Sequence, residues 1–110
     1  MTRQIRFLDI PDGDPLPLNW LKELDSDYFE AHVAMVEKLG PIFAGCKVLA
    51  GNMQMLQEPV GRGQLAHLIM LPVRNGDLLA IHGFSTKGRE PIDDEIALAA
   101  RRRRELTGEV

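Results

Sequence analysis

The dipeptide Asn75-Gly76 restricts the fold of this chain more than any other short segment. A type I′ turn needs positive φ at both central residues, and Asn-Gly is the pair that favours this conformation most strongly. The flanking segments Gln64–Val73 and Leu78–Phe84 are rich in apolar residues. The sequence therefore predicts a β-hairpin across Asn75-Gly76.

Both faces of this hairpin are apolar. Alternate residues of the first strand form two sets, Leu65, Ile69 and Leu71 on one face and Ala66, Leu68 and Met70 on the other. A sheet with one face in water alternates apolar and polar residues more cleanly. We therefore expect that helices cover both faces or that a partner covers one.

Three helices are predicted, over residues 19–24, 27–39 and 91–106. Asn19 is suited to cap the first, and Asp27 and Glu30 have the spacing of a capping box for the second, which ends at Gly40-Pro41. The third begins at Pro91, and its last turn holds the run Arg101–Arg104, which complements the helix dipole.

Gln4–Leu8 and Met53–Gln57 are two further predicted strands. The element order becomes β-α-α-β-β-β-α, which is typical of an α+β domain with an antiparallel sheet of about four strands. At 110 residues the chain is the size of one domain, so we assign residues 1–110 to a single unit.

Charge gives a mixed indication of function. The net charge is -3, but residues 61–110 hold eight basic and seven acidic residues, against five and nine in residues 1–60. An anion would therefore bind the second half. A single cysteine, no long apolar run and no leader-like start lead us to expect a cytoplasmic protein without a membrane partner.

Two histidines are candidates for chemistry. His82 precedes a glycine and a predicted basic loop that carries Lys87 and Arg89, and His67 lies on the neighbouring strand. An imidazole moves protons near neutral pH, and lysine or arginine stabilises an anionic phosphoryl transition state. The alternative is that both rings are half-buried strand residues beside a solvated loop.

Other polar groups give weaker signals. Gly61-Arg62-Gly63 is better interpreted as a turn than as a phosphate loop. The three histidines lack metal-ligand spacing, so no metal or cofactor is expected. The partner-binding candidates are Arg101, Arg102, Arg103 and Arg104. The alternative for this run is a solvated helix end in which Arg101 pairs with Glu105.

Residues 78–99 (LLAIHGFSTKGREPIDDEIALA) resemble the HigB-like, phage-derived branch of the RelE/ParE toxin superfamily. The family ends its last strand with an apolar run and Gly-Phe, followed by paired lysines, a proline and a helix. Upstream similarities are Trp20–Leu24, Leu39-Gly40-Pro41 and Leu49-Ala50-Gly51. The resemblance implies a RelE-like fold and a toxin that cleaves mRNA on the ribosome until a cognate antitoxin binds it.

The resemblance also suggests roles for single residues. Lys87 matches a motif lysine, whereas Gln57 and His67 stand where the family often carries arginine. In a metal-independent endoribonuclease, His67 or His82 would move protons while the RNA 2′-hydroxyl attacks the phosphate. Lys87 would stabilise the transition state, and the RNA-binding residues would be Arg62, Arg89 and Gln57.

Two other functions are consistent with the sequence. A catalytically degenerate relative would act as a protein-binding module that docks an acidic or helical partner through Arg101–Arg104. A small-ligand α+β protein would instead show an apolar pocket and no exposed basic loop. A homodimer is compatible with each of these functions.

Overall fold

Residues 3–108, the part of the chain that this computed structural model describes, form five strands and three α-helices. The strands are β1 Ile5–Phe7, β2 Lys47–Val48, β3 Gln54–Gly61, β4 Gln64–Pro72 and β5 Leu78–Lys87. The helices are α1 Pro17–Leu24, α2 Asp27–Leu39 and α3 Asp93–Thr107. Four residues of the predicted 1–110 domain, 1–2 and 109–110, lie outside the described part.

The predicted hairpin is confirmed. Asn75 and Gly76 have φ values of 66° and 79°, and the Val73 amide donates to the Asp77 carbonyl at 2.9 Å. Strands β4 and β5 on either side pair in antiparallel fashion over nearly their whole length.

The α+β class and the three helices are as predicted, but the sheet differs in two ways. It has five strands in the order β1-β5-β4-β3-β2, and β1 runs parallel to β5. The prediction of about four antiparallel strands was therefore wrong. A hairpin forces its strands to be antiparallel, whereas β1 is joined to the sheet through two helices and is free to take either direction. The additional strand β2 is only two residues long.

Helices cover both faces of the sheet. Ala66, Leu68 and Met70 pack in one apolar cluster whose helical members are Leu21, Phe29, Val33 and Val36. Ile69, Leu71 and Ile81 pack in a second cluster with Ala99 of α3. Of the two arrangements expected from the two-faced strands, the chain adopts the one that needs no partner.

The helix ends differ in detail from the prediction. Ser26, and not Asp27, is the N-cap of α2, and its Oγ accepts a hydrogen bond from the Phe29 amide at 3.1 Å. Either residue type can cap a helix, so sequence alone does not separate neighbours. Gly40 ends α2 with φ at 94°, as expected.

Strand β5 is longer than predicted. It continues through Ser85, Thr86 and Lys87, which the sequence assigned to a loop, because Leu65 and Gln64 of β4 pair with its end. A bulge near Ile81 interrupts the pairing, since Ile69 faces His82 while Met70 faces Ala80. The bulge changes which sheet face each side chain of the second half of β5 points to.

No helix in the described residues is both long and apolar enough to cross a membrane.

Candidate functional site

Three rings stack on the sheet face that α3 covers. The register places His67 opposite Phe84, with ring centroids 4.4 Å apart and planes at 5°. The His82 ring lies 5.2 Å from the Phe84 ring, with planes at 21°. The structure therefore brings the two candidate histidines together through an apolar ring.

His67 is a buried residue, with 1% of its surface exposed. Its Nε2 lies 2.8 Å from Thr86 Oγ1, and Nδ1 has no hydrogen-bond partner among the described residues. Burial disfavours the charged ring and lowers the pKa of His67 below 6.5. The ring is therefore neutral at pH 7.

His82 is buried as well, with 3% exposure, and lies between two charged groups. Its Nε2 is 2.5 Å from Glu95 Oε2, while Arg102 Nη1 approaches Nδ1 at 3.4 Å. Burial lowers the pKa of His82 despite the opposing effect of Glu95. Because Arg102 can only donate, the neutral ring carries its proton on Nε2 and donates to Glu95.

The candidate cations Arg62, Lys87 and Arg89 are exposed and lie around one end of the sheet. Arg62 occupies the β3–β4 turn, and that turn meets the end of β5 where the Gly88 amide donates to the Gly63 carbonyl at 3.1 Å. Strand alternation turns Lys87 to the face opposite Thr86 and the histidines. The structure therefore groups the cations but does not bring Lys87 to the rings.

Gln57 lies directly across the β3–β4 ladder from His67 and is exposed. The two positions at which the resemblance implies arginine are therefore neighbours on one sheet face.

The four arginines of the run Arg101–Arg104 make different contacts. Arg102 is 1% exposed and donates to both oxygens of Asp12, at 2.8 and 2.9 Å, and to the Ile81 carbonyl at 2.9 Å. Arg101 pairs with Asp12, with Asp14 at 3.0 Å and with Glu105 at 3.7 Å, the last of which belongs to the alternative interpretation of the run.

Arg103 Nε donates to the Gly51 carbonyl at 2.7 Å, and Arg104 is exposed. Arg101 and Arg102 therefore fasten α3 to the segment after β1, and the run does not form a single basic face.

Sequence reasoning missed the acidic partners of these groups. Asp12 and Asp14 belong to a segment rich in proline and glycine, which predicts only a break in regular structure. Glu95 belongs to the acidic first turn of α3, where a carboxylate is already explained by the helix dipole. No local signal connects these carboxylates with residues that are far away in sequence.

A groove runs along β5 between α1 and α3, with a volume of about 320 Å³. Gly83 and Ser85 contribute its floor, Trp20 and Glu23 one wall, and Glu95 the other. Trp20 Nε1 donates to Ser85 Oγ at 3.0 Å. A second pocket of about 280 Å³ lies beside the Asp12–Arg102 pair.

Three large apolar residues within five positions of the sequence are exposed at the end of α2 and just after it: Leu39, Ile42 and Phe43, here called the 39–43 patch. Ile42 is 76% exposed and Phe43 is 85% exposed, and Leu39 is also exposed. Large apolar side chains that are exposed together mark interaction surfaces.

Neither a metal-binding cluster nor a reactive thiol is found among the described residues. The described residues contain no group of three or more histidine, cysteine, aspartate or glutamate side chains placed to hold a metal ion. Burial raises the pKa of the Cys46 thiol to about 11, so the thiol stays protonated at neutral pH.

No known family model matches the chain, and no curated protein matches it.

Proposed function

We propose that this protein is a toxin-like component of a type II toxin–antitoxin module, of the HigB-like branch of the RelE/ParE superfamily, and that it acts by binding a protein partner. The similarity of residues 78–99 supports the family assignment. The observation that carries the binding function is the exposure of Ile42 and Phe43 in the 39–43 patch.

The burial of both histidines favours binding over cleavage. A general acid or base must reach the proton that it transfers, directly or through one water. His67 and His82 are sealed by packing and engaged with Thr86 and Glu95. Lys87 lies on the other face of the sheet, so these groups do not surround one phosphate.

Co-purification tests the binding function. The chain would be tagged and expressed with the product of the adjacent reading frame, which is expected to be the antitoxin. We expect the pair to co-purify, and Phe43→Ser to remove most of the partner. Ile10→Ser replaces another exposed apolar side chain and serves as the matched control. If Phe43→Ser and wild type recover equal amounts of the partner, the 39–43 patch is not the binding surface.

Ribosome-dependent mRNA cleavage is the second candidate function. The observation that favours it is the grouping of Arg62, Lys87 and Arg89 at one end of the sheet, since clustered cations bind phosphates. An in vitro translation assay tests it. A nuclease would inhibit translation and cut ribosome-bound mRNA, and Lys87→Ala would abolish both effects. If the wild-type protein neither inhibits translation nor cuts mRNA, protein binding is the only one of the two candidate functions that remains.

A further inference from the structure

The outer edge of β5 has a paired strand along only its first three residues. Strand β1 pairs only with Leu78, Leu79 and Ala80, so within the described residues no strand lies beside the remainder of β5. An unpaired edge presents a row of backbone donors and acceptors to a further strand.

The register shows which groups face outward. The Gly88 amide donates to Gly63, so the even-numbered residues after the bulge bond to β4 and the odd-numbered ones face the open edge. The Ile81 carbonyl accepts from Arg102, and the Lys87 amide donates to Glu90. Gly83 and Ser85 are left between these two filled positions.

The groove beside this edge is acidic. Its lining includes Asp14, Glu23 and Glu95 but no lysine or arginine. Arg101 already pairs with Asp14, whereas Glu23 is exposed and makes no ion pair within the described residues. Glu95 contacts a neutral imidazole, so its charge is not cancelled. One uncompensated carboxylate therefore stands on each wall, on α1 and on α3.

We propose that the outer edge of β5 from Gly83 to Ser85 binds an extended basic peptide segment of another protein as an added strand. Its backbone pairs with Gly83 and Ser85. Successive side chains of a strand point to opposite sides, so two neighbouring basic residues reach Glu23 on one wall and Glu95 on the other.

Gly83 is buried against the Trp20 ring at the base of this groove. A Cβ at position 83 would lie 2.2 Å from the Trp20 ring, so only glycine lets the indole pack against β5 there. Trp20 then forms an aromatic wall that suits the methylene stems and charged head of lysine or arginine. The proposal goes beyond the proposed function, because it needs no RNA and the groove shares no residue with the 39–43 patch.

A labelled peptide tests the proposal on the full chain. The probe is an acetylated and amidated octapeptide of alternating threonine and valine with a central Arg-Lys pair. Fluorescence anisotropy measures its affinity, and amide NMR shifts identify the contact. We expect binding that weakens with added salt, with the largest shifts at Gly83 and Ser85. A peptide with Glu-Glu at the centre should not bind.

Variants separate the two parts of the contact. Glu23→Gln should weaken binding about three- to five-fold, with Glu30→Gln, an exposed glutamate of α2, as the matched control. Ser85→Pro removes an outward amide without breaking the ladder to β4 and should weaken binding about ten-fold. Ser85→Ala loses only the Trp20 contact and should bind like wild type.

Three results would overturn the proposal: equal affinity of Glu23→Gln and wild type, equal affinity of Ser85→Pro and Ser85→Ala, or equal binding of the Glu-Glu peptide. Spermidine that binds the groove and is insensitive to Ser85→Pro, while the peptide does not bind, would show a site for small amines and exclude strand addition. The denaturation midpoint of each variant confirms that the chain is folded. Glu23→Gln, at an exposed position, keeps the test decisive if Ser85→Pro unfolds.

Discussion

Arg102 and Asp12 are 90 residues apart in sequence and form a two-point ion pair, Nε and Nη2 donating to the two carboxylate oxygens at 2.8 and 2.9 Å. The same guanidinium donates to the carbonyls of Ile81 and Pro15. This one side chain therefore joins α3, β5 and the segment that follows β1.

Removal of Arg102 should strongly destabilise the fold. Arg102→Met removes the two-point contact to Asp12, which keeps Arg101 and the Asp14 amide as donors, and leaves the Ile81 carbonyl without its side-chain donor. Loss of this buried ion pair costs about 3–5 kcal/mol in the free energy of unfolding. Arg104→Met changes an exposed member of the same run and should cost less than about 0.5 kcal/mol. Urea denaturation measures both values, and similar costs for the two variants would contradict this role.

The same pair should make stability sensitive to acid. Arg102 holds the pKa of Asp12 well below its usual 3.8. The unfolded chain therefore takes up the Asp12 proton at a higher pH than the folded chain. The stabilisation is fully present above about pH 4 and is lost progressively as the pH falls below it.

Asp12→Asn removes this contribution, so its free energy of unfolding should fall less than that of wild type between about pH 5 and pH 3. Asp9→Asn, at an exposed position, is the control and should keep the wild-type slope. If Asp12→Asn and wild type lose the same free energy, the titration belongs to other groups.

The two buried histidines should stay neutral at pH values at which a free histidine becomes charged. Burial lowers the pKa of both His67 and His82 below 6.5. NMR spectra of the rings should show the neutral form at about pH 6.5, with the proton of His82 on Nε2. Stability should decrease as the pH falls below 6.5, because the unfolded rings take up protons first. A measured pKa of 6.5 or higher for either ring would contradict the prediction that burial keeps both rings neutral.

The contact between Gly83 and Trp20 is open to a double-mutant test. Gly83→Ala places a methyl group against the indole and should destabilise the chain by about 1–3 kcal/mol. In a Trp20→Ala background the ring that the added methyl would meet is gone, so most of that cost should disappear. Urea midpoints of the four proteins give the coupling, and independent effects would show that the strain lies elsewhere.

Local patterns predicted much of the fold. The Asn75-Gly76 turn, the two apolar faces of β4 and the three helices each depend on residues that are close in sequence. The parallel placement of β1 depends on β5, some 73 positions away, and no pattern within β1 determines its direction.

The candidate site was less predictable for the same reason. The sequence indicated His67 and His82 as candidates, but their burial results from α3 packing over them, and Glu95 approaches only through that packing. The sequence did not predict that β5 continues to Lys87, because Ser85, Thr86 and Lys87 are all polar. Pairing with β4 outweighs this composition. Long-range ion pairs such as Arg102–Asp12 produce no periodic pattern in the sequence from which they could be predicted.

The ion pair between Asp12 and Arg102 also constrains how the protein is made. A ribosome delivers Asp12 early and Arg102 only after β5 has been synthesised. Strand β1 must likewise wait for β5 before it gains a neighbour in the sheet. The helical and hairpin segments can collapse during translation, but the first strand and the segment after it acquire their fixed positions only when residue 102 has left the exit tunnel.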